Sequence, residues 1–219
     1  FGYQPATTTP YDPERAKNIL ISDGWKANGT SSDALLERTE GSGRNRKTTS
    51  LKVKLTTSDS PELVRTAEAI AGMWRAIGVQ TDIAVLPIHE LETNALRPRT
   101  YEALLFGEVF GHDPDPFAFW HTSQLKDPGL NVALYSNRAV DELLESARRA
   151  SDGEVRAEKY REFQKVVAQE LGAIFLYSPK HFYAVRKSVM GVRLGTVTVP
   201  EERFDGIASW YRDTGRAFR

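Results

Sequence analysis

Cysteine is absent from this sequence, and with it go disulfides, thiolate zinc sites and cysteine nucleophiles. The compartment stays open, because an exported protein can dispense with disulfides. Net charge is absent as well: 29 basic residues offset 29 acidic ones, so no global field draws the chain to nucleic acid or to an anionic membrane. No apolar run approaches the roughly 18 residues that cross a bilayer, and no signal peptide opens the chain. It starts at Phe1 rather than Met, as a processed or excised form does. No G-x-S-x-G elbow and no G-x-x-x-x-G-K-[ST] phosphate loop occurs; "EGSGRNRK" lacks the spacing and does not lie between a strand and a helix. No internal repeat is apparent.

What is present suffices for a core. Hydrophobic residues make up 40% of the 219 positions, with ten Phe, eight Tyr and four Trp, enough for one large or two small domains. In "YDPERAKNILISDGW", Asp12 caps and Pro13 suits the first helical position. Ala16, Ile19 and Leu20 fall on one face before Gly24, and Trp25 packs after the helix. Residues 27–50 turn small and polar, with Leu35 and Leu36 as the apolar pegs, so they are expected to form a flexible surface loop. The sequon Asn28-Gly29-Thr30 and the basic run Arg44 to Lys47 belong to that loop.

"LKVKLTTS" alternates as a half-buried strand does. Ser60, Pro61 and Glu62 start a helix whose Leu63, Ala67, Ile70, Trp74 and Ile77 share one face until Gly78 ends it. "VQTDIAVLPI" is a second strand, "HELETNALR" a short helix and "YEALLFG" a short buried strand. This is the order of an α/β layer. Two amphipathic helices follow, one with Val140, Leu143, Leu144 and Ala147 on its apolar face, the other with Tyr160, Phe163, Val167 and Leu171. "AIFLYSP" and "HFYAVRK" have the pattern of strands broken at Pro179, and residues 188–219 show no long period.

The stretch "FGEVFGHDPDPFAFWHTSQ" concentrates the candidate chemistry. His112, Asp113, Asp115 and His121 are the metal candidates, but no histidine pair has helical i, i+4 spacing, and Pro114 and Pro116 force extended backbone between the acids. The residues read better as loop groups capping a helix that begins near Phe117. Ser123, Ser136 and Ser178 lack an elbow, and His181 lies in an aromatic stretch where a packed histidine is the commoner case. Glu108 and Asp113 as an acid–base pair are unremarkable at such a spacing. A strand end, a glycine-bounded aromatic loop and a helix start is where α/β proteins hold ligands. A binding wall is therefore better supported than catalysis, and no cofactor or metal is expected.

The ordered series "YDPERAKNILISDGW", "LTTSDSPELVRTAEAIAGMWRAIGVQTDI", "YEALLFG", "DPDPFAFWHTSQ", "GLNVALYSNRAVDELLESARRASDGEVRAEKYREFQKVVAQE" and "IFLYSPKHFYAVRKSVMGVR" resembles the C-terminal part of the family 5 extracellular solute-binding proteins. These are the dipeptide, oligopeptide and nickel receptors of bacterial ABC importers. The resemblance runs from Tyr11 to about Tyr211. It implies an α/β fold, a periplasmic-binding-protein type II-like lobe with a mixed sheet flanked by helices, in a family whose members run to roughly twice this length or more.

On that resemblance, residues 1–185 are a C-terminal ligand-binding lobe. Residues 186–219 are a returning segment whose Phe204, Ile207, Trp210 and Tyr211 would pack on a missing N-terminal lobe. The implied function is capture of a peptide or other small-molecule ligand between two lobes and delivery to ABC permease subunits. It would take place in the periplasm or on the extracellular face of the cytoplasmic membrane, with attachment only through a lipid on an absent segment. Oligosaccharide or another solute is the alternative ligand, and a sensory or chaperone-like binding protein the alternative role; no nucleic-acid partner and no enzyme activity is expected. The implied ligand-binding residues are Phe106, Gly107, Glu108, Val109, Phe110, Gly111, His112, Asp113 and Trp120. Peptide-binding relatives place an amine-pairing aspartate a few residues before D-P-D, where this chain has none; Glu108 is the nearest substitute. Asp113-Pro114-Asp115 itself is assigned to turn and cap.

Overall fold

The computed structural model describes residues 10–31, 34–110, 115–180, 182–193, 195, 197 and 199–212. The chain begins with α1 (Pro13–Ser22), capped as expected by Asp12, whose side chain accepts from the Arg15 amide. Its apolar face is not buried: Ala16 and Leu20 are half-covered and Ile19 is exposed. Residues 27–50, expected as a flexible loop, instead build most of a three-stranded antiparallel sheet of β1 (Lys26–Ala27), β2 (Leu36–Glu40) and β3 (Lys47–Ser50). Glu37 pairs with Ser50 and Glu40 with Lys47 across a turn containing Gly41 at φ 80° and Gly43 at φ 58°. The strands are short and polar on both faces, so they carry no period-2 hydrophobic signal. Leu36 is the buried apolar residue that seals them to the body. It is fully buried, and its amide donates to the Gly78 carbonyl at 2.8 Å. Gly78, at φ 90°, leaves room for it, since a Cβ there would lie 2.7 Å from the Leu36 side chain.

The α/β layer forms as the alternating patterns predict. β4 (Lys52–Ser58), α2 (Pro61–Ala76), β5 (Gln80–Leu86), α3 (Ile88–Leu91), a π-turn at Glu92–Leu96 and β6 (Ala103–Leu105) follow in order. β4 lies between β5 and β6, parallel to both, with Leu55 opposite Ile83 and Ala103. A central parallel strand is covered on both faces, and the buried run Leu55 to Ser58 reflects this. On one face Leu55 and Leu105 pack with Ala67, Leu63 and Ile70 of α2. On the other, Leu91, Ala95 and Leu96 pack with Leu86, Tyr101, Leu104 and Val132. Leu104 and Leu105 thus point to opposite faces of the sheet, as a period of two requires.

A helical cluster closes the body. One turn, α4 (Phe117–Trp120), leads through a 3-10 turn at Thr122–Gln124 to α5 (Arg138–Arg149) and α6 (Gly153–Glu170). Asn137 and Asp152 cap the two long helices through their side chains. Trp120, Val140, Leu144, Ala147, Tyr160, Phe163 and Val167 form the core between them; apart from Trp120 these are residues the helical spacing selected, whereas Leu171, selected with them, is exposed as the left-handed C-cap of α6. The stretches "AIFLYSP" and "HFYAVRK" differ from expectation: no ladder forms in them among the described residues. Ile174, Phe175, Leu176, Tyr177 and Phe182 stand exposed, because a strand pattern needs a neighbouring edge to become a strand. The last described segment folds back on itself. β7 (Val189–Met190) pairs with β8 (Tyr211–Arg212), and Tyr183, Phe204 and Trp210 stack together with centroids 6.0 to 6.3 Å apart. Ile207 and Tyr211 remain exposed.

Candidate functional site

A pocket of about 450 Å³ opens beside the carboxyl end of β6. Phe106, Gly107, Glu108 and Val109, the segment after β6, line it together with Phe119. The other wall combines Glu92, Leu96, Arg97 and Arg99 at the end of the π-turn with Asp127, Pro128, Gly129, Leu130 and Val132. Four expected site residues therefore share this pocket. Phe110 does not line it but packs edge-on against Phe119 at 4.9 Å. Gly111, His112 and Asp113 lie outside the described residues.

Trp120, expected at the wall, is a core residue with 3% of its surface exposed. It reaches the site only through a side-chain hydrogen bond with Glu108. Burial pushes the Glu108 carboxyl up to about 7, against that hydrogen bond, which acts to lower it. No cation pairs with it among the described residues, although Arg97 and Arg99 line the same pocket.

The opposite wall escaped the sequence reading. Arg97 pairs with Glu92 at 2.6 Å, and the Arg97 guanidinium is held above its ordinary range first by its hydrogen bond with that carboxylate and then by its charge. Arg99 lies at φ 57°. Its guanidinium donates to the backbone carbonyls of Leu125 at 3.1 Å, of Gly129 and of Leu96. Tyr101 donates to the Val132 carbonyl, and burial holds its phenol above the ordinary value. Asn131, fully buried, donates to the carbonyls of Tyr135 and His121 and accepts from the Tyr135 amide. "KDPGLN" announces a turn by its Pro-Gly pair, but nothing local says that it faces Glu108.

The remaining candidates resolve into structure. Asp115 caps α4 by accepting from the Phe117 amide at 3.1 Å, and its other oxygen takes Arg148 at 2.6 Å. Arg148 also lies over the Phe117 ring, which stacks on His121. His121 and Ser123 meet at 2.8 Å, yet Nδ1 of His121 already accepts the Ser123 backbone N–H at 3.0 Å. That lone pair is committed to the turn and is unavailable to a nucleophile. Among the described residues no group of three His, Asp or Glu could hold a metal ion, and no helix is long and apolar enough to cross a membrane.

The pocket can hold a small polar ligand, with one partly buried acid, exposed apolar Phe106, Val109 and Leu130, and, among the described residues, no constellation for covalent chemistry. Comparison with known proteins agrees. The description "Bacterial extracellular solute-binding proteins, family 5 Middle" matches residues 1–131. The chain is 27% identical over 197 residues to Di/tripeptide-binding protein 2 of Pseudomonas aeruginosa, covering 86% of this chain and 32% of that protein. It is 29% identical over 163 residues to Heme-binding protein A of Haemophilus influenzae, covering 72% of this chain and 26% of that protein. Among solved structures, the oligopeptide-binding protein AppA from Bacillus subtilis, in complex with a nonapeptide, superposes with a TM-score of 0.73 at 21% identity. The match covers 98% of this chain and 40% of that one. The chain spans between about a quarter and a third of the length of these curated relatives, and the likeness to AppA establishes a type II binding-protein-like fold.

Proposed function

Because the chain belongs to the bacterial extracellular solute-binding proteins of family 5, we propose that it is the C-terminal lobe of an ABC-importer receptor for short peptides. The lobe is non-catalytic: it captures ligand against a second lobe and presents the closed form to a permease outside the cytoplasmic membrane. The observation that carries the peptide reading is Glu108, a carboxyl in the pocket wall that pairs with no cation among the described residues, the two arginines of the lining being engaged by Glu92 and by backbone carbonyls. A partly buried acid that lacks a cation favours a ligand that brings one, and the free amino terminus of a peptide is such a group. The relatives' names support the same class. Capture is a shift of a hinge equilibrium toward a state whose extra contacts exist only when closed.

Residues 186–219 are the segment that would pack on the other lobe. The exposed side chains Ile207 and Tyr211 within it support that division, since they are large apolar groups left open to solvent. A ligand held by one wall buries roughly half of what a closed site buries, where 70–90% is typical, so the chain alone binds weakly. NMR titration with a free tripeptide is expected to give affinity weaker than micromolar, with shifts at residues 106–109 that N-acetylation of the peptide abolishes. Micromolar affinity in the monomer would overturn the shared site. Shifts produced by an oligosaccharide and not by peptide would overturn the ligand class.

A further inference from the structure

We infer that Arg99 is the residue that positions the second wall of the pocket, residues 125–132, opposite Glu108; the functional weight of this rests on the reading of the pocket as the ligand site. Three observations converge. Arg99 adopts φ 57°, a conformation that a long side chain rarely takes and that persists only where the surroundings impose it. Its guanidinium is spent on backbone: it donates to the carbonyl of Leu96 on its own turn and to those of Leu125 and Gly129, 26 and 30 residues along the chain. No carboxylate pairs with it among the described residues.

The two distant carbonyls bracket Asp127 and Pro128, which line the pocket with Leu130. The bracketed turn is tight, since a Cβ on Gly129 would lie 2.3 Å from the Gln124 carbonyl oxygen. Beyond it, Asn131 and Tyr101 pin the far end of the wall. Between residues 125 and 129, Arg99 hydrogen-bonds the wall at both ends, while Arg97 acts on Asp127 through its charge alone. A planar guanidinium reaches three divergent carbonyls at once, and its charge strengthens each bond. Lysine has one nitrogen and cannot span the same three.

The test compares wild type with Arg99→Lys and Arg99→Ala, using amide hydrogen exchange and the carbon-detected titration of the Glu108 carboxyl. Positioning predicts that the amides of Gly129 and Asn131, bonded to the carbonyls of Lys126 and Gln124, lose protection roughly tenfold or more. Amides of α5 and α6 should stay unchanged. It also predicts that Glu108 titrates lower in both variants, because a released wall admits water to the carboxyl. Loss of a nearby cation would move a carboxyl up rather than down, so a drop in either variant reports hydration.

Equal loss of protection throughout the chain would make Arg99 a general stability residue and overturn the inference, as would unchanged exchange at Gly129 and Asn131. Local loss with Glu108 titrating as in wild type would also overturn it, because the wall would then not shape the pocket. Tripeptide titration of wild type runs beside these measurements. Its failure removes the peptide reading alone, since exchange and titration need no ligand.

Discussion

Replacing Glu108 with glutamine isolates the electrostatics of the pocket. The Glu108 carboxyl ionises at about 7 in the folded chain against an ordinary 4.5. Between these values the unfolded chain gives up the proton while the folded chain keeps it. This group's contribution to stability is therefore most favourable below pH 4.5, declines as pH rises to about 7, and is constant above. At about 1.4 kcal/mol per pKa unit the full shift corresponds to roughly 3 kcal/mol. Glu108 is only partly buried, and screening by water reduces this to about 2 kcal/mol. The neutral amide keeps the shape and an oxygen to accept from Trp120 without the cost of ionisation. Glu108→Gln is expected to match wild type in denaturant melts at pH 4. At pH 8 it should exceed wild type by about 2 kcal/mol, or roughly 4–8 °C in Tm. Parallel stability curves for the two proteins between pH 4.5 and 7 would refute the reasoning, because the carboxyl would then titrate alike in both states.

Two further substitutions test the frame around the pocket. Leu36→Ala empties the fully buried contact that seals the antiparallel sheet against Gly78. It should cost about 3 kcal/mol in urea denaturation; a cost below about 1 kcal/mol would mean that residues 27–50 do not pack as a sheet. Asp115→Ala removes both the cap of α4 and the partner of Arg148. It should lower stability by about 1–2 kcal/mol without altering the Glu108 titration, and a changed titration would show that Asp115 belongs to the binding wall.

Local pattern was enough wherever an element buries one regular face against the body. α2, with Leu63, Ala67 and Ile70 at helical spacing, β4 and β5, and the apolar stripes of α5 and α6 all form where periodicity puts them. The role of Asp115 as a cap was also legible, because capping is decided within a few residues. Tertiary structure decided what depends on partners distant in the chain. The polar strands of residues 27–50 become a sheet through Leu36 and Gly78. The apolar alternation near Ile174 stays without a ladder among the described residues, because alternation alone does not supply a partner strand. Trp120 looked like a pocket aromatic, and only the packing of α5 and α6 shows it to be core. The site divides in the same way. Phe106 to Val109 could be named from their place after a buried strand, a rule of chain order. Arg99 and residues 127–130 could not, because their contribution arises from hydrogen bonds across 26 and 30 residues, and a sequence records neighbours along the chain, not neighbours in space.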